Sequence, residues 1–315
     1  MSEKMKNQTE QLPILKVHMM GSFFLEYGDQ PISFRKTMAT KSMRLLQIFL
    51  YNKENGISRG RLLESTYGRE DVADAANSLR VGVHRLKRSL VEAGLPQYEY
   101  IYTQKGVYHW ISPMPVEVDA IEIKNKILEA QKETDEKARM DQMIEALERY
   151  TGEFLADFGE EEWVQAERAQ LKKVYADALG EVSEYLLKQE NFEELQKLTA
   201  VASELYPFDE WQAVQMQALI GLERYKEAMK LYEQTSKHYF EEFGVTPSEK
   251  LVEQYRYLGS RMGSRHRVIE EVQADLQENP GEKGGSFFCS LAGFRDCYRL
   301  VYRMSELNGQ MPWLM

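Results

Sequence analysis

The sequence predicts a mostly α protein with a small β component: an α/β head followed by an all-α body of repeated helical hairpins. Three observations carry this. β-branched and aromatic residues crowd into two short stretches, 14–34 and 100–111, whereas helical periodicity with clear start and stop residues governs most of the remainder. A ten-residue segment also recurs at an offset of 33 residues. A chain of 315 residues is long enough for two domains and part of a third.

The stretch 14–34, ILKVHMMGSFFLEYGDQPISF, reads as short strands around a Gly-Asp-Gln-Pro turn, including one hairpin. Three helices follow. The first, 41–53, carries Met43, Leu46, Phe49 and Leu50 on one face and stops before Gly56. The second has Ser58 as N-cap, with Ile57 placed to staple onto Leu62, and ends at Gly68. The third runs over 74–93 and is stopped by Gly94 and Pro96. A second hairpin covers 100–111, turning at Gln104, Lys105 and Gly106. Strands, three helices in tandem and a closing hairpin are the element order of a winged helix-turn-helix domain, here assigned to residues 12–112 after a polar, disordered tail at 1–11.

Beyond Pro113 and Pro115 strand signals vanish. Helices are expected at 119–132, 135–155, 161–189, 192–205, 209–221, 225–243 and 247–262, the last begun by Thr246, Pro247 and Glu249 as cap, first-turn proline and capping-box glutamate. The repeat is LLKQENFEEL from Leu186 and LIGLERYKEA from Leu219, with Phe192 and Tyr225 at matched positions. That period suits a TPR-like helical hairpin, and residues 113–262 are assigned to an all-α TPR-like domain. A charged helix and Pro-Gly-rich linker are expected at 263–285. A strand-helix fragment expected at 286–315 is too small to bury a core alone, so either it docks on the helical domain or it opens an incomplete third domain.

Composition excludes several classes. No apolar run approaches spanning length and residues 1–11 lack a signal-peptide core, so no membrane partner and a cytoplasmic location are expected. Two cysteines, Cys289 and Cys297, cannot make a disulfide framework, and the five histidines are scattered, so neither metal nor cofactor is expected. There is no phosphate-cradling Gly-x-x-x-x-Gly-Lys-Ser/Thr, no His-Glu-x-x-His and no Gly-x-Ser-x-Gly, so no enzyme is expected and no catalytic residue is assigned. The net charge of −10 is unevenly divided. Residues 12–112 hold 14 Lys+Arg against 9 Asp+Glu, a head of +5. Residues 113–315 hold 24 against 39, a body of −15. Contact with nucleic acid must go through the head.

On a helical wheel of 74–93, Leu79, Val83, Leu86 and Leu90 form the buried face. Asn77, Arg80, Val81, His84, Arg85 and Arg88 point away from it, with Lys87 at the margin. Arginine reads guanine, asparagine reads adenine, and a small apolar group meets the thymine methyl. Asn77, Ser78, Val81 and Arg85 are therefore expected at base edges of double-stranded DNA, and Arg80, His84, Lys87 and Arg88 at phosphates. In the hairpin, Thr103, Lys105 and Tyr108 are DNA candidates. Packing is the favoured role of Tyr108 and Trp110, and Lys105 at the tip is the better contact. A solvated basic helix with no DNA role is the bland alternative.

The stretch from Thr40 to Trp110, above all SLRVGVHRLKRSL and YIYTQKGVYHW, resembles the OmpR-like winged helix. VDAIEI, YTGEFL, EEWVQAERAQL and FEEFGVTPSEKLVEQY resemble the bacterial transcriptional activator domain. Together, over residues 12–260, they resemble the SARP-type (Streptomyces antibiotic regulatory protein) activators. The resemblance implies a sequence-specific DNA-binding transcription regulator, binding direct-repeat promoter sites as a pair of protomers, a homodimer on DNA, and recruiting RNA polymerase. It carries over to Asn77, Ser78, Val81, His84, Arg85 and Arg88 in the helix and to Thr103, Lys105 and Tyr108 in the wing. Arg80 and Gly82 depart from the family's pattern, and Gly82 is expected to weaken the helix by roughly 1 kcal/mol and retune DNA reading. The competing reading is a protein-interaction adaptor that uses the winged helix for docking.

Overall fold

The computed structural model describes residues 12–34, 40–68, 74–158 and 161–263, with Tyr298 beyond them. The expected tail at 1–11, the linker after residue 263 and the strand-helix fragment lie outside the described residues. The chain divides into two compact units, residues 1–185 and 186–315.

The first unit opens with strands β1 (Leu15–His18), β2 (Phe24–Tyr27) and β3 (Gln30–Ile32), paired antiparallel in sequence order. Helices α1 (Thr40–Tyr51), α2 (Arg59–Tyr67) and α3 (Ala75–Glu92) follow, with the short strand β4 (Ile57–Ser58) between the first two. Strands β5 (Ile101–Gln104) and β6 (Val107–Trp110) form the wing, and β4 joins them in a sheet of order β4-β6-β5. Ser58 caps α2 as expected, its Oγ accepting from Arg61 N–H at 3.4 Å.

Strand signals do not vanish after Pro113. Residues Val116–Val118 form β7, which pairs parallel to β1 and completes a sheet of order β3-β2-β1-β7. Three residues carry too little pattern to be read locally, and the strand exists because β1 offers it an edge. Lys53 Nζ fastens it further by donating to Val116 O at 2.7 Å. The break at residues 112/113 is therefore not a break in packing.

Helix α4 (Asp119–Ala130) starts directly from β7, and α5 (Glu136–Glu148) follows. The helix expected to run to residue 155 stops seven residues earlier, because the chain turns back to the end of β1. Gly21 N–H donates to Glu153 O at 2.8 Å and Leu155 N–H to Met19 O at 2.7 Å. A Cβ on Gly152 would sit 2.8 Å from Gly21 Cα, so two backbones meet where only glycine fits. Asp119 lies on the other side of this junction, its carboxylate accepting from Met19 N–H at 2.8 Å and Met20 N–H at 3.1 Å. Burial raises its pKa, against the lowering effect of those bonds.

Helix α6 (Glu162–Lys188) covers α1 with its first turns. Arg44 of α1 pairs with Glu161 and donates to Thr66 O at 3.0 Å, and Tyr51 Oη donates to Glu167 at 2.8 Å. The Tyr51 ring lies 5.0 Å from Phe154 and 6.4 Å from Trp163. Burial, then Glu167, drives the Tyr51 hydroxyl far above the ordinary phenol pKa, so it stays a donor.

The second unit holds α7 (Phe192–Leu205), α8 (Trp211–Gly221), α9 (Tyr225–Phe243) and α10 (Glu249–Gly263). The sequence repeat is also a repeat of backbone geometry. Asn191 N–H donates to Leu186 O and Arg224 N–H to Leu219 O, at 3.0 and 2.9 Å, and Glu190 and Glu223 are both left-handed with φ of 54° and 57°. Helix α10 begins at Glu249 with Ser248 Oγ accepting from Leu251 N–H, so the cap is Ser248 and not the expected Thr246. The core of this unit gathers Met216, Leu219, Ala228, Tyr232, Leu251 and Leu258.

Candidate nucleic-acid interface

Helix α3 is anchored as its pattern demands. Asp74 caps it by accepting from Asn77 N–H at 2.9 Å, and Leu79, Val83, Leu86 and Leu90 are buried. Gly82 has a packing role that the sequence did not disclose. A Cβ there would lie 3.1 Å from Leu45 Cδ1 and 3.3 Å from Tyr67 Oη, so the residue permits close approach of α3 to α1 and α2. Its cost in helix propensity is set against that contact, and it points into the helical bundle rather than toward the exposed face.

The opposite face presents Asn77, Arg80, Val81, His84, Arg85 and Arg88 to solvent, with Ser78 and Lys87 half-buried. Val81 is 41% exposed, an apolar group held in the middle of a cationic stripe. Among the described residues, Arg80, His84 and Arg85 have no ion pair and no side-chain hydrogen bond. Two other members are engaged. Lys87 pairs with Glu99, and Arg88 Nε pairs with Glu92 one turn on at 3.0 Å.

The wing turns in two residues. Gln104 is opposite Val107, and Lys105 and Gly106 between them have φ of 49° and 80°, the backbone of a type I′ hairpin. Lys105 is exposed at the tip and Thr103 is exposed on the strand. Tyr108 is not a surface residue: it is 9% exposed, with its ring 6.2 Å from Phe49. Period-two alternation on β6 turns Tyr108 and Trp110 inward together, so packing claims the tyrosine. Tyr100 and Trp110 stack at 5.3 Å beneath the hairpin, and burial pushes the Tyr100 hydroxyl up to about 12. Sequence reasoning passed over Tyr102, which is 38% exposed and stacks on His109 across the wing at 5.0 Å. Cross-strand pairing of two rings was its available signal.

A buried-faced third helix with unpaired cations outward, beside a tight cationic wing, defines a winged-helix protein joined to a TPR-like module. Residues 35–108 match the family "Transcriptional regulatory protein, C terminal", and residues 118–259 match the "Bacterial transcriptional activator domain". The two matched domains, in this order, are those of a SARP-type, DNA-binding transcription regulator. A solved structure of Mycobacterium tuberculosis EmbR, in complex with a low-affinity phosphopeptide, is similar in fold. The TM-score is 0.52 at 16% identity, covering 82% of this chain and 68% of that one. No curated protein matches the chain. Among the described residues, no helix is long and apolar enough to cross a membrane and no cluster of side chains is arranged to hold a metal ion.

Proposed function

We propose that this chain activates transcription by laying α3 into the major groove of direct-repeat promoter sites, as a pair of protomers that contact RNA polymerase. One observation carries the DNA part of the reading: Arg80, His84 and Arg85 stand exposed and unpaired among the described residues, around Val81, on the face of α3 away from the core. Surface arginines near carboxylates usually find them, and cations left unpaired raise the local potential that draws a polyanion. In this reading Asn77, Ser78, Val81 and Arg85 meet base edges, whereas Arg80, His84, Lys87 and Arg88 meet phosphates. Lys87 and Arg88 exchange Glu99 and Glu92 for phosphate oxygens on binding. In the wing, Thr103 and Lys105 follow the backbone.

The test is a footprint of the purified chain on the DNA upstream of its own gene, followed by titrations of Arg85→Ala and Lys105→Ala. Arg85→Ala is expected to cost about 1–3 kcal/mol on the preferred site and to relax discrimination at one position. Lys105→Ala is expected to lower affinity for all sequences alike, with a salt slope shallower by about one. Duplex binding that does not weaken with salt, or no binding, favours the adaptor reading instead.

A further inference from the structure

A single buried stripe fixes how deep a helix sits and leaves its roll about its own axis to whatever touches the flanks. On α3 the stripe is Leu79, Val83, Leu86 and Leu90. At 3.6 residues per turn, Lys87 and Gly82 fall on opposite margins of it. The first margin is held by the ion pair of Lys87 with Glu99. The second is a notch: Gly82 packs against Leu45 of α1 and Tyr67, the last residue of α2. Both partners are buried, and the Lys41 ammonium lies over the Tyr67 ring, 5.0 Å from its centroid. Close packing on all sides makes either partner costly to displace.

The helical neighbours of Gly82 on that margin are Ser78, four positions earlier, and Arg85, three later, two of the side chains assigned above to base edges. A Cβ on Gly82 would sit 3.1 Å from Leu45 Cδ1 and 3.3 Å from Tyr67 Oη. Opening the shorter approach to an ordinary contact of about 3.5 Å takes about 0.4 Å. Taken up by α3 at a Cβ about 3.3 Å from the helix axis, that is a roll of about 7°, and it carries a guanidinium about 8 Å from the axis through about 1 Å. Donor–acceptor distances span only about 2.7–3.2 Å, so a bidentate contact with a base does not survive that displacement. Lys87 leaves Glu99 for phosphate in the reading above, which gives the notch the greater hold on the roll once the duplex is bound.

We propose that Tyr67 and Leu45, seated in the notch at Gly82, are positioning residues that set the roll of α3 and thereby aim Ser78 and Arg85 at the bases. This rests on the DNA-binding reading above. The notch governs discrimination between sequences without itself touching the duplex, and it leaves the phosphate contacts, which carry no sequence information, nearly unchanged.

The full chain, Gly82→Ala, Tyr67→Phe and the double variant are titrated by anisotropy with two fluorescein-labelled duplexes, the one protected in the footprint and a mixed-sequence duplex of the same length. Alanine is a better helix former than glycine, so Gly82→Ala is expected to stay folded, which far-UV circular dichroism checks. A good bidentate contact discriminates by about 5- to 150-fold, and Gly82→Ala is expected to lower the ratio of the two affinities on the order of tenfold. The loss falls on the footprinted duplex, and binding to the mixed sequence stays within about twofold of wild type. Tyr67→Phe by itself keeps the wild-type ratio. In the double variant it recovers about threefold of the loss, because one of the two contacts of the added methyl is gone. An unchanged ratio in Gly82→Ala, an equal loss on both duplexes, or no recovery in the double variant overturns the proposal and leaves DNA binding standing. So does an unfolded Gly82→Ala, since the methyl would then break the packing rather than turn the helix. If the unaltered chain protects no DNA, or binds both duplexes alike, both readings fall.

Discussion

Replacing Arg44 with methionine tests whether the winged helix stands by itself or is bonded into the first half of the helical domain. Methionine keeps an apolar stem for packing and removes the guanidinium. The side chains of Arg44 and Glu161 are 21% and 19% exposed, between surface pairs worth about 0–1 kcal/mol and buried pairs whose rupture costs about 3–5 kcal/mol. Thr66 O also loses a 3.0 Å donor, about 1 kcal/mol more. A loss of about 3 kcal/mol follows. In a unit of 185 residues each kcal/mol moves the midpoint by about 2–4 °C, so the melting temperature is expected to fall by about 6–12 °C. Differential scanning calorimetry of the full chain measures it, with Glu161→Gln and the double variant closing a cycle in which the two losses do not add. Duplex affinity at 20 °C, where both variants are folded, stays at the wild-type value. A shift under about 2 °C, or a transition of the winged helix separate from that of α4 and α5, would refute the reasoning.

Two further tests address the other junctions. A Cβ on Gly221 would lie 2.5 Å from the Phe192 ring, so Gly221→Ala is expected to destabilise the second unit by about 1–3 kcal/mol in urea, and Phe192→Leu on that background recovers part of the loss. Asp119 has a folded-state pKa raised above 3.8, so the folded chain holds this proton more tightly than the unfolded one. Its contribution is fully present below 3.8 and is lost as pH rises through the raised folded value. Asp119→Asn is expected to flatten the urea midpoint against pH from 3.8 upward; an unchanged profile would show that the junction does not sense that charge.

What the chain spells out in advance is whatever short-range chemistry decides. Ser58 and Asp74 cap their helices, the 33-residue repeat recurs down to matched left-handed glutamates, and the inward face of α3 holds the four residues its spacing requires. Failures lie where distant segments meet. The pattern of α1 predicts one buried face, yet Leu45 through Leu50 are all buried, because α2 and β6 pack on α1 as well as α3, and the start of α6 reaches it at Arg44 and Tyr51. Periodicity within a helix says nothing about a second neighbour more than a hundred residues away. Strand β7 and the early end of α5 share that cause, each decided by β1. Tyr108 carries two readings in the sequence, and alternation along β6 settles it as core.

The net charge of −10 becomes intelligible once pairing replaces counting. Part of the body's acid is engaged by the head: Glu161 takes Arg44 and Glu167 takes Tyr51, both on α1. Those acids are bonded to α1, and no ion pair joins them to α3 among the described residues. Among the described residues, the head's cations therefore sort by position. Arg44 is paired on the α6 side, Lys87 and Arg88 are paired locally with Glu99 and Glu92, and Arg80, Arg85, Lys105, Arg59 and Arg61 are left without partners. Unpaired surface charge contributes almost nothing to folding but acts over roughly a Debye length, about 8 Å in physiological salt, on whatever approaches. An acidic protein can in this way keep a cationic surface: carboxylates of the body hold α1 through Arg44 and Tyr51, and the exposed face of α3 keeps Arg80 and Arg85 unpaired, as the proposed contact with phosphates and bases requires.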